Sequence, residues 1–205
     1  GLGYLDCAVR MAKRHGLRVI LDMHAVPGSQ NHDWHSDSDG RALFWVTPSY
    51  QRRAAALWGF LADRFRDEPA VAGYDLLNET VLDDARKLNR YYRMAIRAIR
   101  AVDRNHIIFL EGNRWAQDIA CLDDFSDGNL ALGIHFYEPL EHTFSFVPHL
   151  KYPLVSGSGR WDGTFMKKRL ASIKAVAQGR NRPLWCGEFG VNARAGICGE
   201  DRWLK

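Results

Sequence analysis

Amphipathic helices alternate with short apolar strands along almost the whole sequence, and this alternation limits the fold more than any other feature. The spacing of apolar residues predicts helices at residues 4–15, 49–65, 87–102 and 161–177. Short β-rich runs follow the helices and predict strands at residues 17–23, 71–77, 106–110, 130–136 and 183–188. Alternating strands and helices predict an α/β fold, with a parallel sheet and helices packed outside it. The polar stretches 25–48 and 138–159 are predicted as long loops.

Size and charge bound the domain count and the partners. The chain has 205 residues, of which 46% are hydrophobic, enough for one substantial core, so a single domain of residues 1–205 is expected. Its 28 basic and 24 acidic residues are well mixed, and neither a nucleic acid nor a membrane is an expected partner. The four cysteines have no zinc-type spacing, and their disulfide state stays open. No apolar run is long enough for a transmembrane helix.

Two glutamates stand where predicted strands end. Glu79 follows Asn78 after the strand at 71–77, and Glu188 follows Gly187 at the end of the last strand. In parallel α/β folds the chemistry gathers at the carboxyl ends of the strands, so both carboxylates are candidate site residues. A pair of such acids suits glycoside hydrolysis. For either glutamate alone, a helix cap or a surface ion pair is the more common role.

Four motifs in order connect the chain to a known family. They are LDMH at 21–24, LNE at 77–79, HFY at 135–137 and GEFG at 187–190. Together they resemble glycoside hydrolase family 5, the cellulase-like retaining enzymes with a (β/α)8, or TIM, barrel. The resemblance implies a partial barrel containing about strands three to seven, in which Glu79 is the general acid/base and Glu188 the nucleophile. The stretch DMHAVPGSQN is most similar to the branch that acts on β-glucans, including exo-1,3-glucanase relatives.

The resemblance also implies roles for the neighbouring side chains. Tyr137 would donate a hydrogen bond to Glu188, and Asn78 would bind the sugar 2-hydroxyl. His24 and His135 would line the site, although a structural histidine near a strand end is about equally expected for either alone. Flat rings on loops can stack on a pyranose, with core packing as the rival role. The tryptophans considered for such stacking are Trp34, Trp45 and Trp115.

The expected substrate is a β-linked oligosaccharide or polysaccharide of the β-glucan type, cleaved by a monomeric and, from the family resemblance, secreted enzyme. No cofactor and no metal are expected. A retaining mechanism predicts carboxyl groups about 5 Å apart. The family's arginine on strand two and tryptophan after strand eight have no counterpart here. Without strands one, two and eight, residues 1–205 expressed alone are expected to be poorly structured.

Two alternatives stay open from the residues. A metal-dependent barrel hydrolase could draw its ligands from the acidic and histidine side chains Asp22, His24, His32, Asp33, His35 and His135. A sugar-binding relative without catalysis could keep the aromatic groove, although the two retained glutamates favour an enzyme. The identity of the glycan, its linkage, and endo or exo action are left open, because loops set them.

Overall fold

The structure, a computed structural model, describes residues 1–156, 159–192 and 198–205. They form two compact units, residues 1–133 and 134–205. The expected single domain of residues 1–205 stays a prediction. No helix among the described residues is long and apolar enough to cross a membrane.

The first unit alternates strand and helix as predicted. Its main elements are α1 (Leu2–Arg14), β1 (Val19–Asp22), α2 (Pro48–Phe65), β2 (Val71–Asp75), α3 (Arg86–Arg100), β3 (Ile107–Glu111) and the first part of β4 (Leu130–Phe136). Two single-turn 3₁₀ helices, Trp34–Ser36 and Leu43–Trp45, lie in the segment predicted as a long loop, and a short turn, α4 (Asn113–Ala116), follows β3. The strands lie side by side in chain order and pair in parallel.

Helix boundaries and burial in this unit follow from local sequence. Pro48 occupies the first turn of α2, where its missing N–H costs nothing, and Gly16 just after α1 has a φ of +67°. The face of α3 that carries Leu88, Tyr92 and Ile99 is fully buried, as its helical spacing requires. Trp58 of α2 is 1% exposed, and its indole N–H donates to the Leu76 carbonyl at 3.0 Å. The helices therefore cover the sheet and fix the chain just beyond β2.

Register places the carboxyl ends of the strands along one edge of the first unit. Asp22 pairs with Asp75, Asp75 with Phe109, and Glu111 with Gly133. The segments that leave this edge carry most of the polar residues singled out in the sequence. The strand predicted at 71–77 ends two residues early as a regular strand, but Leu76 and Leu77 remain fully buried.

The second unit contains the end of β4 and β7 (Leu184–Phe189), which are neighbours in the sheet. Between them lie α5 (Leu140–Thr143), an antiparallel pair of β5 (Leu154–Ser156) and β6 (Gly159–Trp161), and α6 (Gly163–Gly179), and a short α7 (Glu200–Trp203) follows β7. Asp162 caps α6 by accepting from the backbone N–H groups of Thr164 and Phe165. The stretch 138–159, predicted as a long loop, therefore contains a helical turn and strand residues. The strands were missed because each has three residues, too few for a periodic pattern.

Candidate active site

Glu79 leaves the end of β2 in an unusual backbone conformation that both of its peptide groups stabilise. Its φ of 43° is left-handed, a region that non-glycine residues seldom adopt. Its N–H donates to the Glu111 carboxylate at 2.7 Å, and its carbonyl accepts from the Asn31 side chain at 2.7 Å. Glu111 is 2% exposed and Asn31 fully buried. The main chain that carries the Glu79 carboxyl group is therefore held from both sides.

Asn78 immediately precedes Glu79 in the sequence and is 1% exposed. Its N–H donates to the Met23 carbonyl, and its own carbonyl accepts from the Gln30 side chain at 2.9 Å. Its side-chain Nδ2 is buried and has no hydrogen-bond partner among the residues that the structure describes. A buried donor without a partner costs free energy, and in a binding site it marks where a ligand oxygen fits.

The loop after β1 brings two further predicted residues to this edge. His24 is exposed, and its Nδ1 lies 2.9 Å from the Asp22 carboxylate, which orients the ring. Gln30, fully buried in the same loop, donates to the carbonyls of both His24 and Asn78, at 2.9 Å in each case. The loop is therefore tied to the end of β2 at the residue before Glu79.

The three tryptophans considered for sugar stacking differ in exposure. Trp34 is 87% exposed and Trp115 is 41% exposed, so both present a ring face to solvent. Trp45 is 7% exposed, packs edge-on against Phe44 and donates its indole N–H to the Gln30 carbonyl at 2.7 Å. Trp45 is therefore a core residue and not a stacking platform, because the apolar run that contains it turns inward.

In the second unit, Glu188 on β7 faces two side chains from the end of β4. The Tyr137 hydroxyl donates to Glu188 Oε2 at 3.0 Å, and His135 Nδ1 lies 3.5 Å from the same oxygen. The structure thus contains the hydrogen bond that the resemblance implied. A Cβ at Gly187 would lie 3.3 Å from His135 Nε2, so glycine gives the buried imidazole room beside β7.

Cys186, two residues before Glu188, is a possible rival nucleophile on chemical grounds. Burial raises the pKa of its thiol, and the Sγ–H donates to the Glu188 carbonyl at 3.4 Å. A raised pKa keeps the thiol protonated at neutral pH, and the thiol is a much weaker nucleophile than the thiolate. Glu188 is therefore the better nucleophile of the two.

The predicted metal ligands of the rival hypothesis are not assembled. Within the part of the chain that the structure describes, no three of the six residues proposed as ligands bring donor atoms together as a coordination set. His24 pairs with Asp22, and His32 Nδ1 contacts the Gly40 carbonyl at 2.8 Å. These two histidines have structural partners nearby in sequence, at the end of β1 and in the loop after it.

Sequence reasoning missed the residues that hold Glu79. Glu111 stands at the end of its strand, as Glu79 and Glu188 stand near the ends of theirs, and the same strand-end logic would have found it. Gln30 and Asn31 are amides in a loop without periodicity, so no pattern distinguished them from solvent-exposed loop residues. His35, considered only as a metal ligand, has its Nε2 3.4 Å from Glu79 Oε2.

A family profile described as Cellulase (glycosyl hydrolase family 5) matches residues 2–205. The chain belongs to glycosyl hydrolase family 5. Among its relatives in the family, a β-xylosidase from Phanerodontia chrysosporium is 35% identical over 93% of the chain and 39% of that protein. Endoglucanase C from Acetivibrio thermocellus is 26% identical over 99% of the chain and 67% of its own length.

Solved structures show the fold of this family 5 chain. The structure of endoglucanase Cel5A from Thermotoga maritima aligns with 98% of this chain, with a TM-score of 0.79 at 22% identity. The alignment covers 63% of the endoglucanase chain. Structures of the same endoglucanase have been solved with mannotriose and with cellobiose. The chain is thus part of a (β/α)8 barrel, as expected, and it spans less than two thirds of that endoglucanase and well under half of the β-xylosidase.

Proposed function

We propose that the protein is a retaining β-glycosidase in which Glu188 is the nucleophile and Glu79 the general acid/base, within one catalytic barrel domain. The observation that carries the proposal is the Tyr137 hydroxyl donating to Glu188 Oε2 at 3.0 Å. This hydrogen bond orients the Glu188 carboxyl group at the end of its strand. Glu188 is therefore suited to attack, while Glu79, on a different strand end, is available to carry a proton.

In the first step a Glu188 oxygen attacks the anomeric carbon, and the bond from that carbon to the leaving oxygen breaks. Glu79 gives its proton to the leaving oxygen, so the alcohol departs neutral. The side-chain N–H of Asn78, buried beside Glu79, donates to the 2-hydroxyl of the sugar, an interaction that strengthens as charge develops on the ring.

In the second step Glu79, now ionised, takes a proton from water, and the water oxygen attacks the anomeric carbon from the face that the leaving group left. The bond to Glu188 breaks, and its carboxylate is regenerated with the original anomeric configuration in the product. His24 and His135 serve as hydrogen-bonding groups at the site. Neither step needs a cofactor or a metal ion.

The proposed substrate is a β-linked oligosaccharide or polysaccharide of the glucan type. The exposed rings of Trp34 and Trp115 suit stacking on pyranose faces. Relatives named β-xylosidase and endoglucanase support a β-linked glycan as the substrate class. We propose that the protein acts as a monomer.

The deciding experiment uses Glu188→Ala in the full-length protein with an aryl β-glycoside. Turnover should fall by several orders of magnitude, and added azide should restore cleavage as a glycosyl azide of inverted configuration, because azide takes the place of the missing carboxylate. Glu141→Ala, an exposed glutamate in the same unit, is the matched control and should keep full activity. Normal turnover by Glu188→Ala would overturn the assignment.

The stereochemical outcome and a chelator separate the remaining alternatives. Proton NMR of the first-formed sugar should show retention, and inversion would remove Glu188 from the nucleophile role. EDTA should leave activity unchanged, whereas loss of activity would favour the metal-dependent hydrolase. Binding of oligosaccharides without release of any aryl group would identify a non-catalytic sugar-binding relative.

A further inference from the structure

The loop after β1 returns to the Glu79 carboxyl group through His35. Its Nε2 lies 3.4 Å from Glu79 Oε2 and 3.6 Å from Asp33 Oδ2. The side chains of His35 and Glu79 are only 19% and 13% exposed. Solvent therefore screens their contact less than it screens an ion pair on the open surface.

Asp33 is itself held by a residue that follows β3. The indole N–H of Trp115 donates to Asp33 Oδ2 at 2.8 Å, and the backbone N–H of Trp115 donates to the carbonyl of Thr80, the residue after Glu79, at 3.2 Å. The contacts thus form a closed circuit that leaves the chain at Thr80 and returns to it at Glu79, by way of Trp115, Asp33 and His35.

A left-handed turn presents Trp115 to Asp33. Arg114, Trp115 and Ala116 have φ angles of 55°, 54° and 58°, which are unfavourable for residues with a Cβ atom. Such backbone strain persists only where surrounding contacts over-determine it, and it clusters at functional sites. The turn is therefore a second observation, independent of His35, that points to this circuit.

The backbone of Glu79 is already fixed by Glu111 and Asn31, so the remaining freedom of its carboxyl group lies in the side-chain torsions. The contact of Oε2 with His35 restricts those torsions. Both atoms that the structure places near His35 Nε2 are carboxyl oxygens, so the tautomer with its proton on Nε2 presents an N–H to both carboxyl groups. In that tautomer Oε2 of Glu79 faces a donor, which leaves Oε1 as the oxygen to carry the acidic proton.

We propose that His35 is a positioning residue for the general acid: its contact at Oε2 directs the Glu79 proton to Oε1, and Trp115 fixes His35 through Asp33. This inference rests on the acid/base role proposed for Glu79. The same N–H then stabilises the Glu79 carboxylate between the two chemical steps, so one contact serves both forms of the acid.

The test compares two aryl β-glycosides in the full-length protein, one with a dinitrophenyl leaving group and one with a phenyl leaving group. The first needs little protonation and the second needs the acid. His35→Ala should lower kcat/KM for the phenyl glycoside by roughly tenfold to a hundredfold, the range that a misplaced catalytic group produces. The same variant should change kcat/KM for the dinitrophenyl glycoside by less than about threefold.

Three further variants sharpen the result. His35→Gln restores a side-chain N–H donor and should recover part of the loss, and it also serves if His35→Ala does not fold. Trp115→Phe removes the indole donor while keeping an aromatic ring. It should also lower kcat/KM for the phenyl glycoside, by a smaller factor than His35→Ala. His32→Ala is the matched control. This exposed histidine of the same loop contacts the Gly40 carbonyl through Nδ1, and its loss should leave kcat/KM for both substrates within about twofold.

Glu79→Ala, measured in parallel, separates this inference from the proposed function. If Glu79→Ala spares the dinitrophenyl glycoside and His35→Ala affects both substrates equally or neither, the positioning role is wrong and the acid assignment stands. If Glu79→Ala itself shows no dependence on the leaving group, both proposals are overturned. Selective loss in both variants supports both.

Discussion

Two polar clusters in residues 1–133 combine an aspartate, a histidine and an aromatic donor, yet they differ in almost every physical respect. In the Asp103 cluster, Asp103 Oδ2 accepts from the Tyr74 hydroxyl at 2.7 Å and lies 2.6 Å from His106 Nδ1. In the Asp33 cluster, Asp33 Oδ2 accepts from Trp115 Nε1 at 2.8 Å but lies 3.6 Å from His35 Nε2.

Burial and position explain the difference. The Asp103 side chain is completely buried just before β3, and its second oxygen accepts from the backbone N–H groups of Asn105 and His106. The Asp33 side chain is 40% exposed at the carboxyl ends of the strands, beside a candidate general acid. The same groups, fully satisfied and dry, build stability. In the Asp33 cluster the same kinds of group are farther apart and partly exposed to solvent, so the carboxyl group keeps some conformational freedom.

The largest expected effect is on stability at the Asp103 cluster. Asp103→Ala leaves the Tyr74 hydroxyl, His106 and two backbone N–H groups without their acceptor, and the free energy of unfolding should fall by about 3–5 kcal/mol. Asp33→Ala should cost about 1 kcal/mol at most, because the Asp33 side chain is itself 40% exposed. Urea denaturation of the two full-length variants measures both values. Equal losses would erase the distinction between the clusters.

A smaller effect is expected from removing one hydroxyl. Tyr74→Phe deletes the donor to buried Asp103 and should lower the free energy of unfolding by about 1–2 kcal/mol. Tyr91→Phe is the matched control, because this equally buried hydroxyl lies near Trp58, whose indole N–H already donates to the Leu76 carbonyl. Its loss should be below about 0.5 kcal/mol. If urea denaturation ranks the two tyrosines the other way, the Asp103 cluster is not a stabilising one.

Lowering the pH should reduce the stability that the Asp103 cluster contributes, because the pKa of Asp103 is lowered in the folded state. Burial alone raises the pKa of Asp103, but hydrogen bonds from Tyr74, the backbone of Asn105 and His106 outweigh it and hold the pKa below its ordinary value. A depressed folded-state pKa stabilises the fold above the unfolded value of about 3.9, and the gain is lost as pH falls through the folded pKa. The unfolding free energy of Asp103→Asn should therefore fall less steeply than wild type below about pH 4. Parallel slopes would contradict this.

The smallest effect on stability is expected at the exposed aromatic ring beside the Asp33 cluster. Trp34 is 87% exposed, so Trp34→Ala should change the free energy of unfolding by less than about 0.5 kcal/mol. Lost stacking on a sugar ring should raise KM for an oligosaccharide severalfold with little change in kcat. Steady-state kinetics on a β-linked oligosaccharide series tests this. An unchanged KM for every member would assign the ring no part in binding.

Much of the fold was predictable because helix and strand periods are local properties. The structure contains the predicted helices and parallel strands within a few residues, and β4 has the predicted bounds, Leu130–Phe136. The β5–β6 pair was missed because three-residue strands carry no period. The left-handed turn at Trp115 was missed because Asn-Arg-Trp-Ala contains no glycine to signal it.

The candidate site was predictable for the residues that lie directly at strand ends. The motifs placed Glu79 and Asn78 after β2 and Glu188 opposite Tyr137, because a strand fixes where its last side chains point. The contact between His35 and Glu79 depends on a loop folding back across the strand ends, and its residues are adjacent only in space. The Asp103 cluster was missed for a related reason, since Tyr74 is 29 residues away from Asp103 in sequence.

The strained turn at Arg114–Ala116 has a consequence for engineering heat tolerance. A left-handed conformation costs an ordinary residue about 1–2 kcal/mol, so replacing exposed Arg114 with asparagine or glycine relieves strain without removing a buried group. A directed-evolution campaign for thermostability would therefore find easy gains within one residue of Trp115. The Trp115 indole holds Asp33, so under the positioning role proposed for His35 such gains in stability would come with a loss of turnover.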